Sequence, residues 1–341
     1  MSLRPLGQIM NNLALYIVTV AVWGTTWIAI EFQLGVVAPE VSVFYRYVLA
    51  TAVLFAWCLL RGLPLRFDIR AHRRFLLLGL LLFCLNYVMT YYAQQYITSA
   101  LSAIAFSTML WMNILNARMF FGVRAGARVL AGAVLGVIGI GVLFMPQIGE
   151  LSFSDATFLG TAICVAGAYI ASLGNMVSQQ AQNEGLPIVQ SNAWGMMYGA
   201  IMTGGIAVAQ GLEFNFDSSP SYLVSLLYLS VFGSVIAFGA YLTLLGRIGA
   251  HRAGYAMVMF PVVALVISFF FEGLEPRPSI FAGIALVIAG NLLILKSKRE
   301  IAREIVRKPA RETGSGDATA SRQRTPAPSV CRNDRRARRG R

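Results

Sequence analysis

Ten apolar stretches, each about as long as a bilayer is thick, fill residues 12 to 296, and the segments between them are too short to fold alone. A helix needs ~20 predominantly apolar residues to cross ~30 Å of hydrocarbon. The stretches run approximately over 12–31, 41–60, 75–95, 99–121, 127–146, 156–178, 188–210, 222–245, 253–272 and 279–296. A membrane barrel would alternate apolar and polar residues. Runs such as Phe75–Leu85 and Ala282–Leu295 do not alternate. The pattern predicts an all-α integral membrane protein of ten transmembrane helices.

Composition and punctuation agree. The chain is 57% hydrophobic and 13% charged, against about 25% charged in soluble domains. Eleven of its twelve prolines, Pro39, Pro64, Pro146, Pro187 and Pro220 among them, fall in proposed loops or tails, and Pro261 alone sits well inside a span. The first apolar stretch is too long for a cleaved signal peptide and is read as the first span. Cys58, Cys84, Cys164 and Cys331 show no metal or disulfide spacing, and His72 and His251 are the two histidines. That set excludes zinc motifs and a histidine-based triad. No catalytic residue, metal or cofactor is expected, and no GxxxxGK[ST] loop points to ATP.

Charge sets an orientation. Arg61, Arg66, Arg70, Arg73 and Arg74 follow span two; Arg118, Arg124 and Arg128 follow span four; Arg247 and Arg252 follow span eight. The opposite loops carry Glu40, Glu150, Asp155, Glu213, Asp217 and Glu275, with Arg277 their one basic residue. The positive-inside rule then places both termini in the cytoplasm of a bacterial-type inner membrane. Residues 1–11 form a short N-terminal segment. Residues 297–341 read as a disordered basic tail rich in small and polar residues. Without a folded nucleic-acid module beside it, the tail is assigned to anionic lipid headgroups and no nucleic-acid partner is expected.

The chain also repeats itself at an offset near 150. Ala131-Gly132 matches Ala282-Gly283, Gly139 matches Gly290, Phe120-Phe121 matches Phe270-Phe271, Thr90-Tyr91 resembles Ala240-Tyr241, and Pro39 matches Pro187. Each half, 12–146 and 156–296, has an odd number of spans, so the second copy enters the membrane upside down. Inverted repeats are a transporter signature.

Three segments carry a family resemblance. Trp23-Gly24-Thr25-Thr26-Trp27-Ile28-Ala29-Ile30, Pro39 followed by Arg46 between Tyr45 and Tyr47, and Gly254-Tyr255 through Pro261 to Phe271-Glu272 resemble the first, second and ninth spans of the drug/metabolite transporter superfamily, EamA type. The resemblance covers residues 12–296. It implies ten helices, inward termini and export of small metabolites or toxic compounds through a cavity lined by spans one, three, four, six, eight and nine. The first half departs from it: Trp111 and Gly122 stand where the second half has its proline and terminal glutamate. Span four is therefore expected to be straighter than span nine.

Candidate site residues are polar or aromatic groups inside the spans. Trp23 and Trp27 share a face of span one, with Thr26 near it. Asn86, Tyr87 and Tyr91 lie in span three; Ser107, Trp111 and Asn113 in span four; Tyr169 and Asn175 in span six; Tyr241 in span eight and Tyr255 in span nine. Aromatic faces with a few donors and acceptors suit a neutral, zwitterionic or cationic solute. Each aromatic could equally serve packing or an interfacial belt, and each amide could equally bond a neighbouring helix. Pro261 excludes the Met257 carbonyl from helical bonding, either as a hinge or as a static kink. Arg46 and Glu31 are candidate buried charges. Arg46 reads either as a site charge for an anionic group or as a structural cation, paired with Glu31 or Glu40 or snorkelling to the surface. Glycine pairs such as Gly132/Gly136 and Gly195/Gly199, and the series Gly160, Gly167 and Gly174, read as helix packing.

The combined expectation is a secondary transporter exporting amino acids or related metabolites by alternating access. Multidrug export and import are rivals within transport. A membrane-embedded sensor or assembly protein using the tail is a rival outside it. Coupling to protons, and a monomer versus a homodimer, are left open. If the helices do the work, deleting residues 300–341 leaves transport intact; lost flux at equal membrane expression would support the sensor reading.

Overall fold

The computed structural model describes residues 11–143, 145, 155–271 and 278–307. The N-terminal ten residues, the acids Glu150, Glu272 and Glu275, and the tail beyond Arg307 lie outside the described residues. Among the described residues every regular element is helical. Helix α1 spans Asn12–Glu31, α2 Pro39–Leu60 and α3 Ile69–Ala93; α4 is Ser99–Ser107, α5 Met109–Phe121 and α6 Ala127–Leu143. Then come α7 Asp155–Asn183, α8 Ile188–Ala209, α9 Pro220–Ile248, the short α10 Ala250–Ala253, α11 Tyr255–Phe271 and α12 Pro278–Arg307. Five of the described helices, α1, α2, α3, α7 and α9, are long and apolar enough to span a membrane. Shorter apolar segments lie at Ala127–Val142 and Pro278–Leu293.

Local chemistry marks the ends. Asn11 caps α1 by accepting from Ala14 N at 2.7 Å, and Asp68 caps α3 by accepting from Ala71 N at 2.9 Å. Pro39 and Pro220 open α2 and α9, where the missing N–H costs nothing. Gly122 closes α5 with φ 66°, a conformation glycine adopts without strain.

Two features depart from uniform α-helix. The expected straight fourth span is broken into α4 and α5 at Thr108. Its hydroxyl and its amide both bond to the Ala105 carbonyl, at 2.6 and 3.2 Å, while Ser107 bonds back to Ile104 at 2.6 Å. Adjacent back-bonding hydroxyls compete with the helical ladder, so a break arises without proline. Helix α11, by contrast, runs unbroken through Pro261. In addition, α3 and α9 each contain a π-helical segment, Gly79–Leu85 and Leu229–Ile236. A π segment shifts the bonding register and frequently marks a functional position.

The helices form a bundle in which α2 packs along α8, α8 against the π segment of α3, and α1 against both α9 and α11. Large apolar side chains cover the outside: Leu60 is 84% exposed and Phe158 78%. A soluble protein would hide such a surface; lipid accepts it. Glycines set the closest approaches. A Cβ at Gly79 would stand 2.8 Å from the Gly195 carbonyl oxygen and 2.9 Å from Gly199 N. Gly160, Gly167 and Gly174 all face α3 or the turn after it, against Tyr96, Met89 and Leu82. At one end of the bundle Arg74 forms an ion pair with Glu184, with Nε–Oε2 at 3.0 Å. The arginine holds the Glu184 carboxyl below its ordinary pKa. The pair thus stabilises above the ordinary carboxylate range and loses its effect as pH falls through the lowered value. Being about one-third exposed, it contributes little.

Gly79→Ala should lower stability by about 1–3 kcal/mol, because the obstructing atoms are two backbone atoms and the Cβ of Tyr198, none of which can turn aside. Gly141→Ala, with nothing within 4 Å, should be neutral. Thermal unfolding of the detergent-purified proteins measures both; equal melting would refute the close α3–α8 contact.

Candidate solute cavity

A cavity sits where α1, α3, the α4–α5 break, α7, α9 and α11 converge. The α1 wall is a single helical stripe, Trp23, Thr26, Trp27 and Ile30. Helix α3 contributes Leu82, Asn86, Tyr87 and Thr90, just beyond and within its π segment. Phe106 and Met109 flank the Thr108 break; Ala171 and Asn175 come from α7, Phe238 and Tyr241 from α9, and Met257 and Phe260 from α11.

The aromatic walls hold one another. The Trp23 ring centroid lies 4.7 Å from Phe238, 5.0 Å from Tyr241 and 5.9 Å from Phe260, and Trp27 lies 5.3 Å from Phe106. Edge-to-face geometry of this kind adds about 0.5–1.5 kcal/mol per pair. Trp23 Nε1 donates to the Gly233 carbonyl at 2.9 Å, within the α9 π segment. Asn175 Nδ2 donates to Asn113 Oδ1 at 3.2 Å and to the Tyr241 hydroxyl at 3.0 Å. Thr26 and Thr90 donate to their own helix, at Trp23 O and Asn86 O, both at 2.8 Å. Three buried polar atoms of lining residues have no protein partner: the donor Trp27 Nε1 and the acceptors Asn86 Oδ1 and Asn175 Oδ1. Among the described residues no Asp, Glu, Lys, Arg or His lines the wall.

The predicted residues divide. Trp23, Thr26, Trp27, Asn86, Asn175 and Tyr241 line the cavity together. Asn113 stands behind Asn175, and Pro261 follows the lining residue Phe260. Tyr91 is buried beside Arg46. Four candidates lie elsewhere. Tyr169 is 43% exposed on the outside of α7. Tyr255 donates to the Val129 carbonyl at 2.7 Å and packs with Trp111 in a second apolar cluster. Ser107 is spent on Ile104.

The charges also need correction. Glu31 is exposed rather than buried, and Oε1 accepts from Ser99 N at 3.0 Å, at the start of α4. Glu40 is the fully buried acid, and the Tyr92 hydroxyl donates to it at 2.8 Å. Neither pairs with Arg46, whose Nε donates to Ser234 Oγ at 2.9 Å and Nη2 to the Tyr87 hydroxyl at 3.5 Å. Arg46 is wholly buried, so it does not snorkel either. Tyr87, expected beside Asn86, also lines the cavity, and Phe106, Phe238 and Phe260 are lining residues beyond the predicted set. Phe238 precedes Tyr241 by three, so helical spacing from an accepted candidate would have found it.

The model of the EamA-like transporter family matches residues 11–145 and again 158–296. The chain belongs to the EamA-like transporter family. The uncharacterized inner membrane transporter YedA of Escherichia coli K12 is 27% identical, over 74% of this chain and 79% of YedA. The uncharacterized transporter YoaV of Bacillus subtilis 168 is 24% identical, over 80% and 90%. A protein crystal structure with 18% identity superposes with a TM-score of 0.69, covering 84% of this chain and 97% of that one; it shows the fold alone. This EamA-like chain is therefore a multi-pass membrane transporter of a small-molecule solute.

Trp23→Phe keeps the aromatic face but leaves the Gly233 carbonyl without its donor. A cost of about 1–3 kcal/mol is expected, read as a lower melting temperature in detergent; unchanged melting would show that the bond does not hold α1 to α9.

Proposed function

We propose that this EamA-like transporter is a ten-span secondary carrier of two inverted five-span halves, 12–146 and 156–296, exporting amino acids or related metabolites by alternating access. The observation that carries the substrate reading is the cavity itself. Aromatic faces surround one unpartnered donor and two unpartnered acceptors, with no charged side chain on the wall among the described residues. Such a set suits a small solute that both accepts and donates hydrogen bonds. Bulky cationic drugs are less well served, because the Arg46 guanidinium stands behind Tyr87 and Thr26.

Two structural features support the inverted repeat. A Cβ at Gly139 would stand 2.9 Å from the Gly283 carbonyl, and one at Gly290 would stand 2.7 Å from the Gly132 carbonyl. Those glycines are pairwise the sequence matches, so the α6–α12 contact is self-complementary, as a two-fold axis requires. The π segments of α3 and α9 likewise start 150 residues apart, at Gly79 and Leu229. The arginine-rich loops support cytoplasmic termini. Pro261, directly after the lining residue Phe260 and two residues before Val263, which a Cβ at Gly24 of α1 would meet at 2.5 Å, is the proposed hinge.

Counterflow in proteoliposomes with a panel of labelled amino acids, with and without an imposed pH gradient, tests the reading. Saturable exchange is expected; no exchange by any amino acid would overturn it, and a response to the gradient would assign proton coupling. Pro261→Ala should lower the rate several-fold while melting and expression stay near wild type. An unchanged rate would make the proline a static kink.

A further inference from the structure

Arg46 has no exposure, and among the described residues no carboxylate pairs with it. Its neighbours are neutral. Ser234 Oγ accepts from Nε, and Tyr87 accepts a long bond from Nη2. The guanidinium carbon lies 4.4 Å from the Tyr87 ring centroid and 5.7 Å from that of Tyr47, with Tyr91 also beside it. Nη1 has no partner of good hydrogen-bond geometry, and the Tyr91 hydroxyl acts on the guanidinium as a further weak acceptor. Tyrosine faces offset part of a buried positive charge, but an unneutralised cation inside a membrane protein stays expensive and marks a functional position by default.

The guanidinium stands one layer behind the cavity wall. Tyr87 and Thr26 line the cavity, and Nη2 and Thr26 Cγ2 both lie 3.1 Å from the point where a Cβ at Gly233 would sit. The α9 π segment fixes the orientation of the fork. Ser234 Oγ donates to Leu229 O at 3.0 Å, which leaves its lone pairs for Arg46 Nε. With Nε so occupied, the Nη1/Nη2 edge remains, the edge that takes a carboxylate with two parallel bonds. Tyr87, bonded at 3.5 Å, is the weak partner that an anion would displace.

We infer that Arg46 is the counter-charge for a carboxylate of the transported solute, and that the cavity therefore selects acids over their amides. The inference rests on the transport reading above and names the group that the solute must carry. Its test is binding, separate from flux. Purified wild type, Arg46→Gln and Arg46→Lys are titrated in thermal-shift assays with two matched pairs, phenylalanine against phenylalaninamide and benzoate against benzamide, in chloride-free buffer. Wild type should bind the acid of at least one pair about tenfold or more tightly than the amide. Arg46→Gln should bind both members alike. Arg46→Lys, with its charge on a shorter, compact head, should keep the preference at reduced affinity, and it decides the matter if the glutamine variant does not fold.

Equal binding of acid and amide by wild type would overturn the inference. So would a preference that survives in Arg46→Gln, or unchanged affinities in Arg46→Lys. Chloride forms a separate arm: stabilisation by chloride that needs Arg46, without acid–amide discrimination, would assign the site to a resident inorganic anion and equally overturn it. A benzoate preference in a protein that exchanges no amino acid would instead reject the amino-acid reading and leave the carboxylate site standing.

Discussion

Hydrocarbon supplies no hydrogen bonds, so each polar group inside the bundle must find its partner in the protein. That constraint makes the backbone helical and makes each departure from regular helix informative. At the α9 π segment the Gly233 carbonyl meets the Trp23 indole and the Leu229 carbonyl takes the Ser234 hydroxyl. At the α4–α5 break the Ala105 carbonyl is shared by the amide and hydroxyl of Thr108. Both irregularities adjoin the cavity, because Phe238 follows the π segment and Phe106 and Met109 flank the break.

Much of this was legible in the chain and some was not, for specific reasons. The helix ends follow from local chemistry: Asn11 and Asp68 as caps, Pro39 and Pro220 at first turns. The Trp23–Trp27 stripe follows from helical spacing. Tyr169 was misplaced although spacing contained the answer. Ala171 and Asn175, four apart, share a face, whereas Tyr169 stands six residues before Asn175 and points well away from it. The break at Thr108 was missed because proline was taken as the main source of a bend, while adjacent Ser and Thr hydroxyls can also redirect the ladder. The partners of Arg46 were beyond reach. Ser234 lies 188 residues away, and no local pattern announces a contact across that separation.

Within the proposed repeat, the departures from symmetry carry as much meaning as the symmetry. Tyr91 and Tyr241 are sequence counterparts, yet Tyr241 lines the cavity and accepts from Asn175, while Tyr91 is buried beside Arg46. Arg46 itself has no basic counterpart in the second half, where the offset that pairs Pro39 with Pro187 leads to Trp194. The scaffold contact between α6 and α12 keeps its two-fold pairing, whereas the solute-facing positions have diverged.

That divergence fits the chemistry of an asymmetric solute. A two-fold wall would offer the same groups to both ends of whatever it held. Here α7 and α9 present an amide and a phenol, Asn175 and Tyr241, with Asn113 behind them, whereas the α3 side presents Tyr87 backed by a guanidinium. Amide oxygens accept from an ammonium group, and a guanidinium fork pairs with a carboxylate. An α-amino acid carries both, and each would find a different wall. Movement of one half against the other would then separate the two anchors: Asn175 rides on α7 in the second half, and Arg46 on α2 in the first. A solute held by both would favour the closed arrangement, and opening to either side would release one anchor. In the proposed alternating-access cycle, binding energy spread over two moving parts would couple occupancy to conformational change.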